Sequence, residues 1–343
     1  MEEIKRTEIN ELGEFSLIDR LTKNFKLINK TTIRGVGDDA AVLDHNGYRT
    51  IVSTDLLAES IHFDLSYFPL RHLGFKSVIA NLSDIYAMNA VPQQITVSIA
   101  LSNRFPVEAL DELYFGIQTA CEAYGVDLIG GDTTSSRSGL IISITALGIA
   151  HEEDIVYRSG ACIGDLICVT GDLGASYLGL QILERERRLQ QEDPGIKIDL
   201  EDQKYIIGRF LKPETRKDII DELKEKGIKP TSMIDISDGL ASEIMHICKN
   251  SGTGAMINEK DVPVAIETQQ MAIKFNIDPI TAALSGGEDY ELLFTIQPAD
   301  LDKLRMISDI SVIGIIKAKE EGINLVTTGG RIHPVTAQGW RHF

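Results

Sequence analysis

Six short stretches of this chain place acidic residues after glycines, at strand ends or, once, inside an apolar helical pattern. "GVGDDAAVL" (35–43) has Asp38 and Asp39 after two glycines, and "VSTDLL" (52–57) has Ser53, Thr54 and Asp55 at the end of a strand-like run. "ANLSDIYAMNA" (80–90) sets Asp84 in an apolar helical pattern, and "LIGGDTTSS" (128–136) sets Asp132 after a glycine pair. "IDISDGLASEI" (234–244) carries Asp235, Ser237 and Asp238, and "LSGGEDYELLF" (284–294) carries Glu288 and Asp289 after a second glycine pair. Taken singly, an Asp after Gly-Gly is a turn residue and an Asp at a strand end is a cap. Asp238 stands where an N-cap belongs, before Gly239 and a helix-like run to Lys249. Asp84 is harder to absorb, because its helical neighbours Ala80, Asn81, Leu82, Ile85, Ala87 and Met88 imply burial. A buried carboxylate needs a partner or takes up a proton. With few basic residues nearby in sequence, a divalent cation is the natural partner. Taken together, acidic residues at strand ends and glycine pairs in both halves of the chain suit hard cations such as Mg²⁺, which take oxygen ligands and substrate phosphates. Glycines allow tight turns and close backbone approach to a phosphate. The chemistry implied is a multi-metal site for a nucleoside triphosphate.

The familiar nucleotide motifs are absent. There is no G-x-x-x-x-G-K-[ST], no H-R-D and no D-F-G, which excludes a P-loop enzyme and a protein kinase. Lys and Arg total 34 against 51 Asp and Glu, a net charge of −17. Such a chain, without a basic block, is a poor binder of nucleic acid or anionic membranes. No run approaches a membrane span, and the charged N-terminus lacks the apolar core of a signal peptide, so the expectation is a cytoplasmic protein. Cys121, Cys162, Cys168 and Cys248 show no metal spacing and read as buried, reduced thiols.

The elements that must position these residues follow from periodicity. Helices are expected at 13–25, 70–89, 106–125, 175–187 and 213–227, with strands at 49–57, 93–101, 139–150 and 165–170. "VDLIGGDTTSS" reads as a short strand running into a loop, and 189–203 as a surface loop. "QQITVSIAL" and "LIISITALGI" are apolar enough to bury both faces. A length of 343 residues, 43% of them hydrophobic, fits about two domains. Helices and strands are interspersed without a strict βαβ beat, so the reading is α+β, with the two domains meeting near residue 150.

Seven stretches, "GVGDDAAVL", "VSTDLLAESIHF", "ANLSDIYAMNAVP", "LIGGDTTSS", "RSGACIGDLICVTGDLGAS", "IDISDGLASEI" and "LSGGEDYELLFT", occur in the order seen in thiamine-monophosphate kinases. The chain resembles that family, within the aminoimidazole ribonucleotide synthetase-like ATP-binding superfamily, from Gly13 to the terminal "GWRHF". The resemblance implies transfer of phosphate from ATP to thiamine phosphate, giving thiamine diphosphate. It implies an N-terminal α+β domain, 1–150, that binds ATP and Mg²⁺ and pairs in a homodimer. A C-terminal α/β domain, 151–343, completes the site. Carried over by motif, it implies metal ligation by Asp39, with Asp38 the less certain of that pair, and by Ser53, Thr54, Asp55, Asp84, Asp132, Asp235 and Asp238. It implies nucleotide contacts from Tyr114, Gly131, Asp132, Arg158 and Ser237, and substrate contacts from His62, Glu288 and Trp340. Lys212 departs from the family's expected Arg, which leaves its role and that of Arg216 open. No catalytic acid or base is implied, because the acceptor phosphate is already ionised and the task is positioning and charge neutralisation. The runner-up readings are another superfamily member, such as selenophosphate synthetase or aminoimidazole ribonucleotide synthetase, and a non-catalytic nucleotide or Mg²⁺ sensor. Selenophosphate synthetase carries a reactive Cys or selenocysteine near its N-terminus, whereas the first Cys here is Cys121.

Overall fold

The computed structural model describes residues 32–34, 38–45, 47–102, 105–196 and 200–336. The helix expected at 13–25 and Trp340 lie outside the described residues. The strands β1 (Thr32–Arg34), β2 (Ala41–His45), β3 (Tyr48–Ala58), β4 (Val91–Leu101), β5 (Asp127–Ser135) and β6 (Ile141–Ala150) form one sheet in the order β1-β2-β3-β6-β4-β5. Its pairs are antiparallel except β4 with β5.

Helices α1 (Leu70–Ala87) and α2 (Val107–Tyr124) pack together, and α1 lies on β3, β4 and β6. The two helices meet backbone to backbone. A Cβ on Gly74 would lie 2.0 Å from the Leu113 carbonyl oxygen, and one on Gly116 would lie 1.9 Å from that of Arg71. No side chain larger than hydrogen fits either position without moving a helix. With the sheet beneath it, α2 beside it and the second half of the chain against its remaining face, α1 is buried over almost its whole length from Leu73. That is why its sequence is apolar on most faces.

The second sheet is drawn from β7 (Leu166–Thr170), β8 (Ser232–Asp235), β9 (Gly254–Asn258), β10 (Leu292–Ile296), β11 (Ile310–Lys317), β12 (Ile323–Val326) and β13 (Ile332–Pro334). Its order is β13-β12-β9-β11-β7-β10-β8, and only β9 with β12 is parallel. Around it lie α3 (Ala175–Glu192), α4 (Lys204–Leu211), α5 (Lys217–Glu225), α6 (Leu240–Ser251), α7 (Ile266–Lys274), α8 (Pro279–Ser285) and the short α9 (Leu301–Leu304). The two halves share apolar contacts, among them the rings of Phe68 and Phe210, 5.3 Å apart.

Several expectations are corrected. The stretch after Val126 is a nine-residue strand rather than a short one, because β4 supplies partners as far as Ser135. α3 continues to Glu192, into the expected loop, and α4 was not anticipated. α5 starts at Lys217, not at the proline, because 213–216 is tied elsewhere: the Thr215 N–H donates to the Tyr124 hydroxyl at 3.1 Å. β4 and β6 alternate between buried and half-exposed residues instead of burying both faces, since helices cover only one face of that sheet. Cys162 is exposed, while the other three thiols are buried, and all four are free.

Candidate active site

Four separate elements deliver acids to one place. The turn before β2 brings Asp38 and Asp39, β3 brings Ser53 and Asp55, α1 brings Asn81 and Asp84, and the end of β8 brings Asp235. Asp39, Asp84 and Asp235 each place a carboxylate oxygen within 4.8 Å of the other two. The Ser53 hydroxyl donates to Asp84, and the Asn81 side chain accepts the Asp55 N–H at 3.1 Å. Arg158 supplies the nearby positive charge. Its guanidinium donates to Asp39, and its N–H donates to Asp38 Oδ1 at 3.2 Å. Asp39 therefore faces the cluster, while Asp38 helps to anchor Arg158.

This arrangement is electrostatically unfavourable as it stands. Burial raises the pKa of Asp84 well above its ordinary value, and the charges of Asp55, Asp235 and Asp39 add to the rise. Asp235 is pushed up to about 7, chiefly by burial and then by Asp39. Burial pushes Asp55 up to about 6, and raises Asp39 despite Arg158. Asp39 Oδ2 is buried with no hydrogen-bond partner. An all-oxygen set of crowded carboxylates, one of them with an unsatisfied buried oxygen, fits a hard divalent cation.

The C-terminal half adds two interlocked loops. The Ile236 N–H donates to the Glu291 carbonyl (2.7 Å), the Glu288 N–H to the Ser237 carbonyl (2.7 Å) and the Tyr290 N–H to the Ile236 carbonyl (2.9 Å). Glu288 and Tyr290 sit in the left-handed region, with φ of 64° and 53°. Such backbone persists only where its surroundings hold it. Asp238 is not the N-cap of α6. Gly239 takes that position, and the Asp238 N–H donates to Glu243 Oε1 at 2.9 Å. A carboxylate one turn into the helix thus supplies the acceptor. Asp289 is a helix cap instead: it accepts N–H bonds from Gly174 (2.8 Å) and Ser176 (3.3 Å) at the start of α3. Glu291 is buried between Arg209 and Arg216, at 2.8 Å from each, and accepts from the Thr170 hydroxyl. Arg216 is therefore an anchor for Glu291, and Lys212 lies over the Phe75 ring at 5.0 Å.

The remaining candidates are dispersed. Ser237 is exposed beside Asp235. The Thr54 hydroxyl donates to the Ile144 carbonyl across the sheet, at 3.1 Å. His62 Nδ1 accepts the Ala58 N–H at 2.9 Å, closing the turn after β3. Tyr114 packs half-buried on α2. Gly131 and Asp132 lie on β5, which is exposed along its whole length. At Gly131 a Cβ would fall 1.7 Å from the Val97 carbonyl oxygen. β5 stands three strand spacings, about 14 Å, from β3, and Asp132 is not among the three acids that meet at Asp39, Asp84 and Asp235. Lys76 and Asn81 were missed in the sequence. Both lie on α1, flanking Asp84 on opposite sides, about 80° and 60° round the helix, so no single-face pattern marks them.

Two mixed sheets, with a carboxylate cluster where the halves meet, define a class. Residues 37–150 match the family model for the AIR synthase related protein N-terminal domain, and residues 163–324 match its C-terminal domain. A thiamine-monophosphate kinase of Aquifex aeolicus is 31% identical over 98% of this chain and 99% of its own. One from Buchnera aphidicola subsp. Schizaphis graminum is 36% identical over 97% and 99%. The solved structure of AaThiL complexed with AMPPCP and TMP superposes with a TM-score of 0.84, at 30% identity, over 98% of this chain and 99% of that one. The chain belongs to the thiamine-monophosphate kinase family.

Proposed function

We propose that this protein transfers the γ-phosphate of ATP directly to thiamine phosphate, giving thiamine diphosphate and ADP. The meeting of Asp39, Asp84 and Asp235 from distant parts of the chain carries this reading. The relative that holds AMPPCP, an ATP analogue, together with TMP supports the choice of both substrates. Asp39, Asp55, Asp84 and Asp235 would hold Mg²⁺, joined by Ser53, which donates to Asp84, and, on the family pattern, by Thr54 and Asp238. Bound there, the ions would screen the repulsion between two phosphorylated reactants. The protein's own part is positional. Arg158 fixes the Asp38–Asp39 turn, Asn81 fixes the Asp55 backbone, and the Ser237 and Glu288 loops fix each other. The acceptor phosphate needs no general base, and direct transfer needs no phosphoenzyme. His62, Glu288 and Trp340 would contact thiamine phosphate, while Tyr114, Gly131, Arg158 and Ser237 would contact ATP.

The active species is a homodimer. β2 pairs with β3 only as far as Val52, so beyond it the outer edge of β3 has no strand partner among the described residues, although the Asn81 side chain accepts the Asp55 N–H and His62 Nδ1 the Ala58 N–H. Among the described residues β5 pairs with β4 alone. Leu56, Leu128 and Ile129 are exposed on these two strands. Open edges with apolar side chains invite strand addition. A second copy laying its β5 along β3 would cover both edges and bring its Asp132 beside Asp55. No helix among the described residues is long and apolar enough to cross a membrane. The acidic charge argues against nucleic acid as a partner, and the protein would work in the cytoplasm. Incubation with ATP and Mg²⁺ should release ADP and thiamine diphosphate with thiamine phosphate as acceptor, and nothing with thiamine. Phosphorylation of thiamine, or no ADP release with thiamine phosphate, would overturn the reading.

A further inference from the structure

One buried cation takes no part in the mechanism above. Lys76 lies on α1 and is 3% exposed. Its ammonium donates to the Phe210 carbonyl at 3.0 Å and to Glu288 Oε2 at 2.9 Å. It also sits over the Phe210 ring, 4.0 Å from the centroid, with the Phe68 ring at 5.4 Å. These partners stand 134 and 212 residues away in sequence. Burial lowers the Lys76 pKa, and Glu288 opposes the shift. Glu288 itself is not sealed in, for its side chain is 32% exposed.

We propose that Lys76 is the positioning residue for the acceptor substrate: it crosses from the helix that carries Asp84 and fixes the carboxylate of Glu288. Three observations converge on this. Glu288 occupies a left-handed backbone conformation, so its direction depends on being held. Its N–H is tied to the carbonyl of Ser237, two residues after Asp235 of the carboxylate cluster, and its carboxylate is tied to Lys76. Lys76 and Asp84 ride on one rigid helix, about 12 Å apart along its axis. α1 therefore acts as a ruler between the carboxylate cluster and Glu288. The ammonium neutralises Glu288 on one oxygen. The exposed side of the carboxylate then serves as a hydrogen-bond acceptor for a neutral N–H donor, such as the exocyclic amine of an aminopyrimidine, more than as a counter-ion for a ring cation. This rests on Glu288 touching the acceptor substrate.

The test is a mutant cycle read by steady-state kinetics and by calorimetric titration with thiamine phosphate alone. Lys76→Met keeps length and apolar stem, and Lys76→Gln serves if the Met variant does not fold. Either should raise KM and Kd for thiamine phosphate about 10- to 100-fold and leave KM for ATP within about threefold. Glu288→Gln should raise the same constants. The double variant Lys76→Met/Glu288→Gln should be no worse than the worse single one, since a neutral amide does not need the ammonium. A rise for Glu288→Gln without one for Lys76→Met and Lys76→Gln would overturn the proposal, as would an equal rise for both substrates or full additivity. If Glu288→Gln alone leaves thiamine-phosphate binding unchanged, the substrate contact of Glu288 itself is wrong, which is a separate failure.

Discussion

Replacing Asp84 by Asn should move stability and activity in opposite directions. Asp84 faces two other carboxylates with oxygens within 4.8 Å. At that distance and an effective dielectric of ~20, each like-charged pair costs about 3.5 kcal/mol. The folded chain limits this cost by taking up protons, so the relief in the metal-free protein should be about 1–4 kcal/mol at pH 8 rather than the full sum for two pairs. Asn keeps the size and an acceptor for the Ser53 hydroxyl, so packing is preserved. The same change removes charge that would hold a divalent cation. A loss of ~5 kcal/mol of transition-state stabilisation corresponds to a roughly 10³–10⁴-fold fall in turnover. Urea unfolding in EDTA and in Mg²⁺, beside an ADP-release assay, reads both effects. The variant should be more stable than wild type in EDTA, gain less from Mg²⁺, and turn over poorly. Near-normal turnover, or a variant less stable in EDTA, would refute the view that these acids are assembled for metal rather than for the fold.

The pH dependence follows from the same crowding. Asp235 and Asp55, raised from 3.8 to about 7 and about 6, bind more protons folded than unfolded, so metal-free stability should fall as pH rises from about 4 to 7. Saturating Mg²⁺ should flatten that fall, and thermal melts across pH with and without EDTA would show it. Light scattering should give about twice the 37.8 kDa chain mass. Mixing inactive Asp84→Asn and Asp132→Asn chains should restore about a quarter of wild-type activity if Asp132 serves the partner's site, because half the dimers then hold one intact site. No recovery after verified subunit exchange would place Asp132 in its own chain's site. Trp340→Ala should raise KM for thiamine phosphate about 3- to 30-fold and leave that for ATP nearly unchanged, as a stacking contact with non-reacting rings would. An equal effect on both substrates with a lower Tm would make Trp340 a structural anchor.

Much of this protein was legible in its residues. The apolar run on α1, the alternation along β3, β4 and β6, and the Pro and Gly that bound α2 are local signals. Local signals fix local elements. The clustering of Asp and Gly likewise marked the chemistry, and Asp39, Asp84 and Asp235 are among the acids it flags, alongside several that the structure places elsewhere. Sequence could not say which acid does what. In "SGGEDYE", Glu288 pairs with Lys76, Asp289 caps α3 and Glu291 neutralises two arginines, although the three stand almost side by side. Their partners come from α1, α3, α4 and the segment before α5, which only the tertiary fold brings near. Gly239, not Asp238, takes the N-cap position of α6, and the Asp238 N–H is held by Glu243 one turn on, a partner that the Asp-Gly pair alone does not reveal. Asp132 carried as strong a motif as Asp84, yet the strand order set it on an outer edge. Lys76 carried no motif at all. Its role is set by a burial and a carboxylate 212 residues distant, and no period along the chain encodes a partner so far away.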